Sequence, residues 1–229
     1  MLTLHYAPDN ASLIVRLALE EIGAPYRTAL VDRETRAQDS PAYRALNPAG
    51  LIPVLETPDG PIFETGAILL WLADRHPGAG LGPDPHHPAR ASFLKWLFFI
   101  ANTAHPDLMH IYYPDRYVGE EGRASHRARM IARMHTHFGL IDTAARTEPA
   151  LFALPSVLAA YALTLMRWSV LYPEDQEPWC DLAAYPALSA LAAAQDARPA
   201  TQRAADAEGL GPAPFADPQD PDPPEGSAT

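Results

Sequence analysis

The chain has 229 residues, of which 48% are hydrophobic, so it can bury a large core in one or two domains. Its formal net charge of -11 argues against nucleic acid or an anionic membrane as the main partner. A single cysteine excludes an intrachain disulfide and fits a reducing compartment, and no apolar stretch approaches the roughly 20 residues of a membrane-spanning helix. With no signal-peptide pattern at its start, the chain is predicted to be cytoplasmic.

Residues 1–78 are predicted to form a small domain that mixes strands and helices. A β-type run at residues 2–6 precedes an apolar helical segment that begins at Ser12, a candidate N-cap, and stops at Gly23. Residues 25–31 predict a second strand. Because two β-type runs flank a helix, we expect a βαβ unit whose strands are parallel.

The next segment contains a proline where a strand is predicted. Two short apolar runs within residues 51–63 are separated by Thr57-Pro58-Asp59-Gly60, a composition that predicts a β-hairpin. Pro53 lies inside the first run, although a proline removes a backbone donor and is normally excluded from a paired strand. Glu64 and Thr65 then place an acid and a hydroxyl at the start of an apolar helix.

The rest of the chain has a different pattern. After a turn-rich linker at residues 79–87, residues 88–208 show helical periodicity without strand alternation, which predicts an all-helical domain. The almost wholly apolar segment 155–172 is predicted to be its central buried helix. Residues 209–229 are rich in proline and aspartate and are predicted to be disordered.

Several motifs resemble those of one known family. Between residues 47 and 77 the chain contains Asn47-Pro48-Ala49-Gly50, Ile52-Pro53-Val54-Leu55, Glu64-Thr65-Gly66-Ala67-Ile68 and Leu72-Ala73-Asp74-Arg75-His76-Pro77. In this order and spacing they resemble the cytosolic glutathione transferases, and Tyr185–Ala204 resembles the last helices of that family. The resemblance spans about residues 1–208. It implies an N-terminal thioredoxin-like domain that binds glutathione and a C-terminal helical-bundle domain.

The resemblance also implies which residues bind glutathione. In the family, the residue before a cis proline pairs through its backbone with the cysteinyl unit, a role that falls here to Ile52, with Pro53 cis. The γ-glutamyl end is expected at Glu64 and Thr65, because a helix start offers free N–H groups and a partial positive charge to a carboxylate. His105 lies in a segment similar to a beta-class helix whose histidine reaches the glutathione cleft; a surface histidine is the alternative.

The catalytic position departs from the family pattern. Tyr6–Leu13 resembles the opening of the bacterial beta class, but the cysteine of that class falls on Ala11. Because the thiolate is the nucleophile, another group must stabilise it. Ser12 ranks first, since a helix N-terminus favours an anion. Asn10, which resembles an asparagine of some glutathione-dependent disulfide reductases, ranks second, and Tyr6 ranks third.

The resemblance therefore implies a glutathione transferase that conjugates the thiolate of glutathione, its co-substrate, to a small electrophile, as in detoxification. Two alternatives stay open: a glutathione-dependent reductase of disulfides or peroxides, and a non-catalytic binding protein. A homodimer is expected, with an interface that includes the aromatic residues Trp96, Phe98 and Phe99. No metal is expected, because no histidine pair has a cysteine or carboxylate at the usual ligand spacing.

Overall fold

A computed structural model describes residues 1–172 and 178–228 of the chain. One sheet with the strand order β2-β1-β3-β4 is formed by β1 (Leu2–Tyr6), β2 (Tyr26–Leu30), β3 (Val54–Thr57) and β4 (Gly60–Phe63). Strands β1 and β2 are parallel, whereas β3 is antiparallel to both of its neighbours. The predicted βαβ unit and hairpin are thus confirmed.

The helices fall into two groups along the chain. Beside the sheet lie α1 (Ser12–Ile22), α2 (Pro41–Arg44) and α3 (Thr65–Arg75). The second group consists of α4 (Arg90–Phe99), α5 (His105–Tyr112), α6 (Arg123–Thr147), α7 (Pro149–Phe152), α8 (Val157–Leu171), α9 (Pro186–Asp196) and α10 (Pro199–Glu208). Of the helices described, none is both long enough and apolar enough to cross a membrane.

Helix α1 connects the two groups of helices. It contacts α3 in its own half of the chain and both α8 and α10 in the other half. Its residues Ile14 and Val15 belong to one continuous buried cluster that also includes Leu55 of the sheet and Phe138 and Leu165 of the helical half. Because this core crosses from one half to the other, the two halves are held in a fixed relation by apolar burial.

The helical segment that begins the helical half is interrupted. A π-helical turn at Ile100–Ala104 separates α4 from α5. Gly66 of α3 lies so close to this turn that a β-carbon there would lie 3.2 Å from that of Ala101. Such turns are frequent at functional sites. Here the turn brings the start of α5, His105, next to the start of α3.

The prediction that the C-terminal tail is disordered is wrong for the residues described, 209–228. Phe215 is buried in a cluster with residues of α1 and α8, including Leu17 and Leu163. The Asp196 carboxylate accepts the N–H groups of Phe215 at 3.1 Å and Ala216 at 2.8 Å. The tail is ordered because α1 and the helical half together form an apolar pocket, and Asp196 supplies a buried hydrogen-bond acceptor. Composition alone reveals neither.

Candidate functional site

A cleft of about 980 Å³ lies between the sheet half and helices α5 and α8. Its wall contains every residue that the sequence analysis assigned to ligand binding, namely Ile52, Pro53, Glu64, Thr65 and His105. Of the three candidates for the catalytic position, only Asn10 is part of the wall. The segments that were assigned by motif alone therefore lie around a single cavity.

The Asn47-Pro48-Ala49-Gly50 turn fixes the chain that enters this cleft. The Asn47 amide donates to the Leu51 carbonyl at 2.7 Å, and the Tyr43 hydroxyl donates to the same carbonyl at 2.9 Å. The Asn47 side-chain oxygen also accepts the Ala49 N–H at 3.0 Å. Since Asn47 is buried, these bonds hold the main chain at Leu51 in one position.

The peptide bond between Ile52 and Pro53 is cis, as expected from the motif. The pairing of β3 with β1 ends at Val54, which lies opposite His5. Ile52 therefore lies beyond the ladder, at the wall of the cleft. The proline that conflicted with a paired strand does not lie in one, and it leaves the Ile52 main chain beside the cavity.

The start of α3 combines an unusual backbone with a buried hydroxyl. Glu64 has φ 73° and ψ 111°, a region that non-glycine residues rarely adopt and that costs about 1–3 kcal/mol. Thr65, the first residue of α3, is only 7% exposed, whereas Glu64 is exposed. The N–H groups of a first helical turn have no partner within the helix, so this end of α3 can bind an anionic group in the cleft.

His105 lies in the wall of the cleft, within an aromatic cluster. Its Nδ1 lies 2.8 Å from the Tyr161 hydroxyl, and its ring packs against the rings of Tyr161 and Trp168. Thr65 lies next to the same Tyr161 hydroxyl, so α3, α5 and α8 meet at this point. Burial lowers the pKa of His105 to about 4. The imidazole is therefore neutral at neutral pH and offers hydrogen bonding rather than positive charge.

We expect the folded protein to lose stability as the pH falls from 6.5 to 4. In the unfolded chain His105 binds a proton with the ordinary pKa of 6.5, whereas the ring in the folded protein does so only near 4, so acid favours unfolding. This group contributes up to about 3 kcal/mol over that window. Urea unfolding at several pH values should show a smaller loss in His105→Asn; equal losses in the two proteins would contradict the assignment.

Ser12 does not face the cleft. Its side chain is fully buried, and its hydroxyl donates to the Ala7 carbonyl at 2.9 Å and accepts the Ala7 N–H at 3.3 Å. It does not cap α1 either. Ranking Ser12 first for the catalytic position is therefore not supported, because both of its hydrogen-bonding functions are used to fold the loop after β1.

The Tyr6 hydroxyl also bonds to a residue outside the cleft wall. It is only 2% exposed, and its hydroxyl donates to the Glu225 carboxylate in the tail. The Arg16 guanidinium lies 4.5 Å from the centre of its ring. Burial, together with the Glu225 acceptor, raises the pKa of Tyr6 far above its usual value. This phenol is a protonated donor within the protein and is not part of the cleft wall.

Asn10 is the candidate that lies at the cavity. Its side-chain oxygen accepts the Ala11 N–H at 2.8 Å, and its carbonyl accepts the Leu13 N–H at 2.8 Å. Among the described residues, none accepts a hydrogen bond from its amide nitrogen. Ala11 lies beside it in the wall, so the position of the beta-class cysteine is at the site but carries only a methyl group.

Comparisons with known proteins agree with this geometry. The family model for the glutathione S-transferase N-terminal domain matches residues 11–75. Glutathione S-transferase GST-4.5 of Xanthomonas campestris pv. campestris is 28% identical over 211 residues, which cover 90% of this chain and 98% of the relative. The crystal structure of a glutathione transferase homolog from Sulfitobacter with bound glutathione has a TM-score of 0.77 at 28% identity, covering 90% and 97% of the two chains. The chain is thus similar to glutathione transferases over most of its length.

The match extends across both halves of the family fold. A bacterial beta class glutathione S-transferase from Sphingomonas chungbukensis has a TM-score of 0.75 at 26% identity, and the match covers 91% of this chain and 100% of that one. The predicted fold class, a thioredoxin-like N-terminal domain followed by a helical-bundle domain, is confirmed. Ala11 stands where the beta-class pattern has its cysteine, so this position offers no thiol of its own.

A buried ion pair that no motif indicated lies beside this cleft. The Asp9 carboxylate accepts from Arg167 Nε and Nη2, both at 3.0 Å, and from Trp168 Nε1 at 2.9 Å and the Tyr172 hydroxyl at 3.0 Å. Asp9 directly precedes Asn10 and has φ 45°. The helix α8 therefore fixes the loop that carries the catalytic candidate.

A second buried pair lies beside the first. Glu208 of α10 accepts from Arg16 Nε at 2.6 Å and from the Asp9 N–H at 2.9 Å. Burial raises the pKa of Glu208 to about 7.

The signal for the first pair, Asp9–Arg167, was Arg167 itself, because an arginine inside an almost wholly apolar helix requires a buried partner. Its partner could not be named from the sequence.

Proposed function

We propose that this protein is an enzyme, a glutathione transferase, which binds glutathione in the cleft and directs its thiolate at a small electrophile. The observation that carries the proposal is that one cavity joins the Ile52 main chain, the start of α3 and the Asn10 amide. Each has the chemistry that one part of glutathione requires. The Sulfitobacter homolog of the same fold holds glutathione.

The tripeptide is assigned to one wall of the cleft. The main chain of Ile52 pairs with the cysteinyl unit, beside the cis bond to Pro53. The free N–H groups at the start of α3, with the Thr65 hydroxyl, bind the γ-glutamyl carboxylate, and Glu64 offsets the neighbouring ammonium. His105 supports this end through the Tyr161 hydroxyl, next to which Thr65 lies.

The thiolate is assigned to the Asn10 amide. A free cysteine thiol has a pKa of about 8.5, so most of it is protonated at neutral pH. A hydrogen bond donated to the sulfur stabilises the thiolate, by about 1.4 kcal/mol for each unit by which the pKa falls. The four bonds to Asp9 keep the adjacent Asn10 in place, which favours a donor that is oriented before glutathione binds.

The electrophile occupies the opposite wall. This electrophile side is formed by apolar and aromatic residues of α5, α8 and the segments that follow them, namely Met109, Tyr113, Trp168 and Tyr172. Flat apolar rings suit a hydrophobic or aromatic acceptor of the sulfur. Neither this wall nor the assigned residues require a metal ion.

The protein is also proposed to be a cytoplasmic homodimer. Of the three aromatic residues expected at the interface, Phe98 is 52% exposed and is available to a second subunit. Trp96 instead packs on Phe99 and donates its Nε1–H to Glu148 at 3.0 Å, so these two rings contribute to the fold of one chain. The proposed interface therefore centres on Phe98.

The binding assignment is tested with Thr65. We expect Thr65→Val to weaken glutathione binding about 10-fold or more, because a hydrogen bond to a charged group contributes about 1.5–3 kcal/mol, whereas Thr65→Ser should bind nearly as well as the wild type. Calorimetric titration with glutathione measures both. Thr136→Val, at an exposed threonine of α6, is the matched control.

Substrate assays then separate the proposed activity from its alternatives. Turnover of an activated aryl halide with glutathione supports the transferase. Turnover of a glutathione mixed disulfide alone would favour the reductase, and saturable glutathione binding without either reaction would favour a binding protein. Absence of saturable glutathione binding by the wild-type chain would overturn the proposal.

A further inference from the structure

The first part of the C-terminal tail is anchored to the helical half. Arg167 donates from Nη1 to the Pro214 carbonyl and from Nη2 to the Gln219 carbonyl, both at 3.0 Å. Phe215 is 2% exposed, and the Asp222 N–H donates to the Gly209 carbonyl at 2.8 Å. The tail therefore turns back on itself and directs its last residues toward the sheet.

The last residues of the tail reach the cleft. Glu225 accepts a hydrogen bond from the Tyr6 hydroxyl, and the main chain at Gly226, with φ 73°, packs against the side chains of Leu30 and Pro8. The Ala228 carbonyl accepts a hydrogen bond from Arg33, and both residues line the cavity. The tail thus forms part of the wall.

Arg33 extends this contact to the electrophile side. Its Nη2 donates to the Tyr113 hydroxyl at 3.3 Å, and the Arg116 guanidinium lies 3.9 Å from the centre of the Tyr113 ring. Ala228, Arg33, Tyr113 and Arg116 all line the cleft. Together they form a continuous row, the tail row, from the end of the tail to the segment after α5.

We propose that the tail row limits the size of the group that can occupy the electrophile side of the cleft, with Ala228 and Arg33 as its specificity-determining residues. The inference rests on the proposed function, since the electrophile side is defined by where glutathione binds. The substrates favoured are small electrophiles, and bulky ones meet Arg33, which is held at both ends of its guanidinium. Removing a contact of the tail row should therefore raise the affinity for ligands with a bulky group more than the affinity for glutathione itself.

The test compares two ligands across a double-mutant cycle. The variants are a chain that ends after Pro224, Arg33→Ala in the full chain, and the two changes combined. Titration calorimetry with glutathione and with S-hexylglutathione, whose six-carbon chain occupies the electrophile side, gives the ratio of the two affinities. Thermal melting of each variant checks that it folds, because the anchors at Phe215 and Gln219 remain in the shortened chain.

We expect each single change to raise the ratio in favour of S-hexylglutathione about 5-fold, since more apolar surface can be buried, while glutathione affinity changes less than about 3-fold. The combined variant should show the same ratio as each single variant, because both changes remove the same contact, the one between Arg33 and the Ala228 carbonyl. Arg27→Ala, at an exposed arginine of β2, is the control and should leave the ratio unchanged.

Two results would overturn the inference while leaving the proposed function intact. One is glutathione binding with a ratio that none of the three variants changes. The other is an equal loss of affinity for both ligands, which would make the tail row a structural support only. A wild-type chain that binds neither ligand would overturn the proposed function itself, and the inference with it.

Discussion

Arg167→Met is expected to lower the free energy of unfolding by about 3–5 kcal/mol, because it leaves the Asp9 carboxylate buried without its charge partner. Both side chains are 0% exposed, so water cannot replace the missing guanidinium. The variant also leaves the Pro214 and Gln219 carbonyls without their donor. Guanidinium chloride unfolding, followed by tryptophan fluorescence, measures the loss as a lower midpoint.

The matched control is Arg203→Met. Arg203 of α10 pairs with Glu20 of α1 at 2.7 Å, but its side chain is 54% exposed. Solvent screens this pair, and its loss should cost no more than about 1 kcal/mol. If the two variants lost the same stability, burial of the Asp9–Arg167 pair would not be the reason for the effect.

Asn10→Ala is expected to lower kcat with an activated electrophile about 100-fold, as happens when one donor to a developing anion is removed from an active site. The pKa of the bound glutathione thiol should rise by about 2 units, because each unit corresponds to about 1.4 kcal/mol of lost thiolate stabilisation. Thiolate absorbance of the glutathione complex, recorded against pH, measures that shift directly.

Two further variants test whether the effect belongs to Asn10. Ser12→Ala removes a buried hydroxyl bonded to Ala7, so it should cost about 1–3 kcal/mol of stability and leave the thiol pKa unchanged. Asn102→Ala, at an exposed asparagine of the π-helical turn, is the control for the amide. A thiol pKa that moves with Ser12→Ala and not with Asn10→Ala would restore Ser12 to the first rank.

The parts of the fold that depend on neighbouring residues could be predicted from the sequence. The hairpin follows from the turn Thr57–Gly60, and α1 ends at Gly23, which adopts φ 70° as a left-handed stop. The binding wall could be assigned because its motifs are contiguous. Ile52 and Thr65 lie in short motifs, and the order and spacing of these motifs were enough to assign both residues to glutathione binding.

The rest depends on contacts between distant parts of the chain. Asp9 and Arg167 are 158 residues apart, so no local pattern could pair them. Ser12 was ranked first because it begins a helix, but the direction of its hydroxyl depends on how Ala7 approaches it. The tail was predicted to be disordered because it contains few apolar residues. Composition cannot show that Phe215 packs into a buried cluster.

Arg167 couples the two walls of the cleft, because it bonds to Asp9 at one wall and to the tail that extends to the other. One guanidinium holds Asp9, next to the assigned thiolate donor, and also two carbonyls of the tail that reaches the electrophile side. The effect of tail docking on ligand affinity and the effect of ligand binding on tail docking must be equal in free energy. If the tail changes the affinity for a conjugate, conjugate binding must stabilise the docked tail by the same amount, so occupancy of the site is reported at the C-terminal end of the chain.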